Sequence, residues 1–91
     1  MAEKPTVSPG DWITFGSGSL SKSAVVCKVY QDTSLADIEV VYLDDRNRAI
    51  NEDMVWKDSE WHFKHPGPSG GYADNYSRLR SYVAQLRRGK Y

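Results

Sequence analysis

The chain has 91 residues, 12 basic and 12 acidic side chains, a formal net charge of zero, 40% hydrophobic and 12% aromatic residues. Such a chain forms one domain near the lower size limit for folding on a single core. The sequence predicts no secretory signal and no membrane span, and its single cysteine, Cys27, excludes an internal disulfide.

Cys27 lies inside an apolar run and reads as a small core hydrophobe, which fits a reducing cytoplasm. Charge is segregated along the chain. Between residues 32 and 60 nine acids stand against three bases, whereas residues 75–91 carry Arg78, Arg80, Arg87, Arg88 and Lys90 with no acid. An acidic middle and a basic tail point to interaction surfaces, or to a tail that docks on the acidic body of its own chain.

Residues 1–9 read as a polar, Pro-punctuated, flexible lead. Pro9-Gly10 signals a turn into a first strand, Asp11–Phe15, with Ile13 and Phe15 on one face and Trp12 and Thr14 on the other. Residues 16–22 form a Gly/Ser connection. It lacks the order of glycines and lysine that a phosphate-binding loop needs. The densest β-forming run is Ser23–Gln31: Val25, Cys27 and Val29 are all apolar, and Ala24, Val26, Lys28 and Tyr30 are mixed, so the odd face suits the core. A third strand follows at Ala36–Leu43, where Ile38, Val40 and Tyr42 share a face and a bulge near Leu43 is expected. Asp44–Arg48 is a polar turn with Asn47 suited to the left-handed region. Ala49-Ile50 begins a fourth strand, Asn51–Val55 forms one helical turn, and Glu60–Lys64 is the last strand, with Trp61 and Phe63 opposite His62.

Residues 65–72 are a Pro/Gly linker. A helix then occupies residues 73–89, capped by Asp74 or Asn75 and ended by Gly89. Tyr76, Leu79, Tyr82, Val83 and Leu86 recur at steps of three and four and make one apolar stripe, which is expected to pack on the chain's own strands or on a partner. The fold class is therefore mainly β with one C-terminal amphipathic α-helix.

The start Gly10-Asp-Trp-Ile-Thr-Phe15, five short strands, a loose first loop and a tight turn before the last strand resemble the SH3-like small barrels, the group that includes Tudor-type and KOW-type domains. The resemblance covers Pro9 to Lys64 and implies a five-stranded barrel over residues 10–64. Tudor-like barrels read methylated lysine or arginine through aromatic cages beside an acid. The resemblance therefore offers Trp12, Tyr30, Tyr42 and Trp56 as ring candidates, with Asp32, Asp44 and Asp45 near them. KOW-like barrels bind RNA or ribosomal surfaces. That implies the alternative site Arg78, Arg80, Arg87, Arg88 and Lys90.

Catalytic constellations are absent at the level of sequence. Both histidines, His62 and His65, fall in one stretch, and Cys27 is expected to face the core; Asp44-Asp45 and Glu52-Asp53 are expected in polar turns rather than in acid–base settings. Two histidines and a strand cysteine are a poor zinc set. The expectation is a non-enzymatic, cytoplasmic interaction module without cofactor or metal. It binds another protein or a cationic peptide through Trp12, Tyr30, Tyr42, Asp44 and Trp56, as a monomer or as a homodimer through the helix. Nucleic-acid binding through the basic helix is the alternative, and a small phage or mobile-element accessory or inhibitor protein a further one.

Overall fold

A computed structural model describes residues 5–16, 22–31, 36–64 and 71–89. Five antiparallel strands follow one another in a curled sheet: β1 (Trp12–Phe15), β2 (Lys22–Val29), β3 (Ile38–Leu43), β4 (Ala49–Lys57) and β5 (Glu60–Phe63). A two-residue strand, β6 (Gly71–Tyr72), pairs with β4 beside Ile50 and Asn51. Two 3-10 turns, Ala73–Asn75 and Ser77–Leu79, lead into the helix α1 (Arg80–Arg88). Among the described residues no ladder joins β1 to β5, so the sheet is a half-barrel with a seam between its two edge strands.

Every inward face follows from strand alternation. Ile13 and Phe15 of β1, Ala24 and Val26 of β2, Ile38 and Val40 of β3, Met54 of β4 and Trp61 of β5 form the interior core. The opposite face of β2 and β3 carries Val25, Cys27 and Val41, which pack with Ala49, Ala73, Leu79, Val83 and Leu86 under the helix. The inner strand β2 is thus buried on both faces, and its even residues, not its odd ones, point into the barrel. A helix lies on the outer face, so a run without clean alternation is what this position requires. The helix stripe is buried against the chain's own sheet, with Tyr76 left 44% exposed at its start.

Two expected irregularities lie elsewhere. The register of β3 with β4 is continuous to Leu43↔Ala49, and the bulge falls in β2, between Val26 and Lys28. Residues 51–55 are strand, not a helical turn: β4 runs unbroken through them because its partner β3 offers a complete ladder from Ile38↔Met54 to Leu43↔Ala49. Ladder pairing outweighs the low β-propensity of Asn51, Glu52 and Asp53. Asn47 has φ 63°, as expected of the polar turn. The β4–β5 hairpin turns on Asp58 (φ 55°) and Ser59 (φ 63°), both left-handed, the geometry that suits a two-residue hairpin loop.

Neither Asp74 nor Asn75 caps the helix. The Leu79 position precedes α1 without a side-chain cap, and Asp74 pairs instead with Arg87 at 3.3 Å. Gly89 ends the helix at φ 86°, its N–H donating to the carbonyls of Gln85 and Leu86. Gly10 also needs its freedom: at φ 95° its N–H donates to the Val26 carbonyl at 2.7 Å and its own carbonyl accepts from Gln85 Nε2 at 2.7 Å. One backbone position thereby ties the entry to β1, the middle of β2 and the helix. Val7, in the lead before β1, packs on the interior core.

Candidate interaction site

The seam between β1 and β5 holds a cavity of about 350 Å³. Its walls are Trp12 and Phe15 from β1, Trp56 from the end of β4, and Glu60 and Trp61 from β5. Pairing of β4 with β5 sets Trp56 directly opposite Trp61, and the two indoles meet edge to face at 5.1 Å. The Asp58-Ser59 turn makes that pair possible, since it returns the chain after only two residues. The Trp56 N–H donates to Asp37 at 2.8 Å, which fixes the backbone behind the ring. Glu60 is solvent-exposed at the rim, with its carboxylate 3.8 Å from His62 Nε2. That same nitrogen lies 3.0 Å from the Lys57 carbonyl, which can only accept, so it carries the proton.

Trp12 borders a second cavity, of about 490 Å³, beneath the end of the helix. Leu43 and Leu86 line its apolar side, and Asp44, Asp45 and Lys22 its rim. Asp45 projects into solvent and is bridged by Lys22 Nζ at 3.2 Å, while the same ammonium lies 5.9 Å from the centre of the Tyr42 ring. Asp44 is held by its turn: its carboxylate accepts the backbone N–H of Arg46 at 2.9 Å and of Arg48 at 2.8 Å, and Arg48 Nε at 3.0 Å. The Arg48 N–H, foremost, keeps the Asp44 carboxyl below its ordinary range.

The five residues expected to form one rim are therefore divided. Trp12, Trp56 and Asp44 gather around the two cavities. Tyr42 packs inward against Phe15 at 5.4 Å and Phe63 at 5.5 Å, and burial pushes its phenol up. Tyr30 donates to Asp53 at 2.8 Å, and Lys28 Nζ sits 5.1 Å from its ring centre; burial and then that hydrogen bond raise its phenol. Asp32 lies outside the described residues. Phe15, Trp61 and Glu60 are wall residues that sequence reasoning did not place in the site. The signal for the latter two was the position of Trp56 and Trp61 symmetrically about a two-residue turn.

The helix arginines are divided as well. Arg78 makes two hydrogen bonds to Glu39, at 2.7 and 3.1 Å, and Arg87 pairs with Asp74. Arg80 and Arg88 are exposed and make no ion pair among the described residues; Lys90 lies outside them. Tyr72 and Tyr76 are 46% and 44% exposed, each with a guanidinium over its ring, Arg48 at 5.2 Å and Arg78 at 5.7 Å.

Among the described residues no helix is long and apolar enough to cross a membrane, and no three His, Cys, Asp or Glu side chains gather where they could hold a metal ion. Comparison with family models, with curated proteins and with solved structures finds no match to this chain.

Proposed function

We propose that this protein is a non-catalytic interaction module of the SH3-like kind, and that the Trp12–Trp56–Trp61 seam takes a cationic side chain of a partner protein. The observation that carries this reading is a cavity of about 350 Å³ lined by Trp12, Trp56, Trp61 and the acidic Glu60, where the indoles of Trp56 and Trp61 meet edge to face at 5.1 Å. That volume is near the lower end for ligand pockets and suits one side chain. A cation over an indole face gains about 0.5–2 kcal/mol, and a carboxylate beside it adds attraction. The Tudor-like aspect of the reading rests on this chemistry alone.

The test is an amide titration by NMR with a lysine/arginine-rich peptide at moderate salt. Shifts centred on Trp12, Trp56 and Glu60, and weaker binding by Trp56→Leu and Glu60→Gln, are expected. A peptide that leaves those amides unmoved overturns the reading.

A second reading has its own observation. Two exposed tyrosines beside arginines, with Arg80 and Arg88 making no ion pair among the described residues and close by in sequence, suit stacking and phosphate contact with single-stranded nucleic acid. It predicts shifts at Tyr72, Tyr76 and along α1 with a short mixed oligonucleotide, and affinity that falls steeply with salt. Pairing of Arg78 and Arg87 to the chain's own acids reduces the charge available for this role.

A further inference from the structure

We propose that the cavity beneath the C-terminal end of α1 is a second subsite of the same peptide surface, and that it takes a second basic side chain two residues away from the first. This inference rests on the seam reading above. Its basis is that Trp12 is a wall of both cavities. Side chains i and i+2 of an extended segment lie on one face about 7 Å apart. Two of them can enter neighbouring cavities that have residue Trp12 as a common wall.

The chemistry of the second cavity selects a long basic residue. Leu43, Leu86 and the Trp12 ring offer an apolar surface for an aliphatic stem, and Asp45 offers a carboxylate at the mouth. The neighbouring Asp44 is already engaged by the Arg46 and Arg48 N–H groups and the Arg48 side chain, so Asp45 is the acid a ligand would meet. The chain itself shows that a cation settles here. Lys22, on the rim of this cavity, places its ammonium 3.2 Å from Asp45. Asp45 is 97% exposed and Lys22 38%, so this internal pair is weak and open to replacement. Lys22 is in this view the resident competitor of an incoming lysine or arginine.

The experiment measures the affinity of a fluorescent peptide containing Lys-Ala-Lys, and of the two versions with one lysine changed to alanine. The proteins are the unmodified chain, Lys22→Ala, Asp45→Asn and Trp56→Leu, each checked for native dispersion by NMR. Lys22→Ala is expected to tighten the two-lysine peptide about threefold by freeing Asp45, and Asp45→Asn to weaken it about threefold. The single-lysine peptide that occupies the seam should be insensitive to both. If binding depends on Trp56 but not on Lys22 or Asp45, the second subsite is overturned while the seam reading stands. Dependence on Lys22 and Asp45 without Trp56 overturns the seam reading and leaves the basic subsite. No saturable binding by any peptide overturns both.

Discussion

Arg78 holds Glu39 in a two-bond clamp, Nη1 to Oε1 at 2.7 Å and Nη2 to Oε2 at 3.1 Å, across 39 positions of sequence. Glu39 is 5% exposed, on the helix-facing side of β3, and its ladder partner on β4 is Asp53. Two acids opposite one another on a sheet repel. The guanidinium supplies the compensating charge and anchors the turn before α1 onto the strand. The bland role foreseen for the basic tail, docking on the chain's own acidic body, is met by this pair.

Removing Arg78 should therefore cost more than removing another arginine of the same segment. Loss of one partner of a fully buried pair costs about 3–5 kcal/mol. The Arg78 side chain is 56% exposed, so water can reach the orphaned carboxylate. We expect Arg78→Ala to destabilise by about 2 kcal/mol, a fall in Tm of roughly 8–16 °C. Arg80→Ala, with no ion pair among the described residues, should stay within about 0.5 kcal/mol of the unmodified protein. Thermal melts of the two variants check this, and equal losses would refute it.

Asp44 makes stability depend on pH in the acid range. The Arg48 and Arg46 N–H groups hold its folded-state carboxyl below the ordinary value. Its contribution is therefore fully present above the unfolded value of about 3.9 and is lost as pH falls through the folded one. Asp44→Asn should lower Tm at neutral pH, and the gap between variant and unmodified protein should close below about pH 4. Urea melts across pH 3–7 would show the two curves converging; parallel curves would count against the assignment.

Cys27 should be chemically silent in the folded protein. Burial foremost, and then the charge of Glu39, push its thiol up to about 12, with Arg78 offsetting part of the rise. An aromatic disulfide reagent at pH 8 should label it only as fast as the chain opens, and promptly in denaturant. Between about 8.5 and the folded value the unfolded chain ionises at this position and the folded one does not, so this group's stabilising contribution is lost as pH rises. The drop in Tm from pH 8 to pH 10 should be smaller for Cys27→Ala than for the unmodified protein.

The Asp58-Ser59 turn carries two left-handed non-glycine residues, and each such residue costs about 1–2 kcal/mol. Ser59→Gly should raise Tm by a few degrees, since glycine adopts φ 63° without that cost and gives the preferred second residue of this turn. Ser59→Val, a branched side chain in the same conformation, should lower it. Melts of both variants decide the matter, and a Ser59→Gly protein no more stable than the parent would contradict the strain.

Local chemistry made much of the fold legible in advance. Asp-Trp-Ile-Thr-Phe alternates cleanly, and the structure puts Ile13 and Phe15 inside and Trp12 on the outer face. Asn47 sits at positive φ because its short polar side chain tolerates that region, and Gly89 ends the helix for a related reason. The stripe from Leu79 to Leu86 could be read from period alone. Residues 51–55 could not. Asn-Glu-Asp has no β-forming character by itself, and only the ladder from β3 makes it strand. The candidate site was half legible. Trp12, Trp56 and Asp44 were identifiable as rings and an acid near strand ends, whereas Tyr30 and Tyr42 had the same composition and a different fate. Tyr42 faces inward with Phe15 and Phe63, and Tyr30 is tied to Asp53.

By itself the sequence determined which segments could bury a face: alternation, turn residues and helical period are properties of neighbours a few positions apart. Tertiary structure decided which face of β2 points into the barrel, that β1 and β5 leave a seam, and that Trp12 stands between two cavities. Those outcomes depend on contacts between residues tens of positions apart, such as Gly10 with Gln85 and Arg78 with Glu39. Such contacts form only once the sheet has curled and the helix has closed over its outer face, so no short stretch of sequence records them.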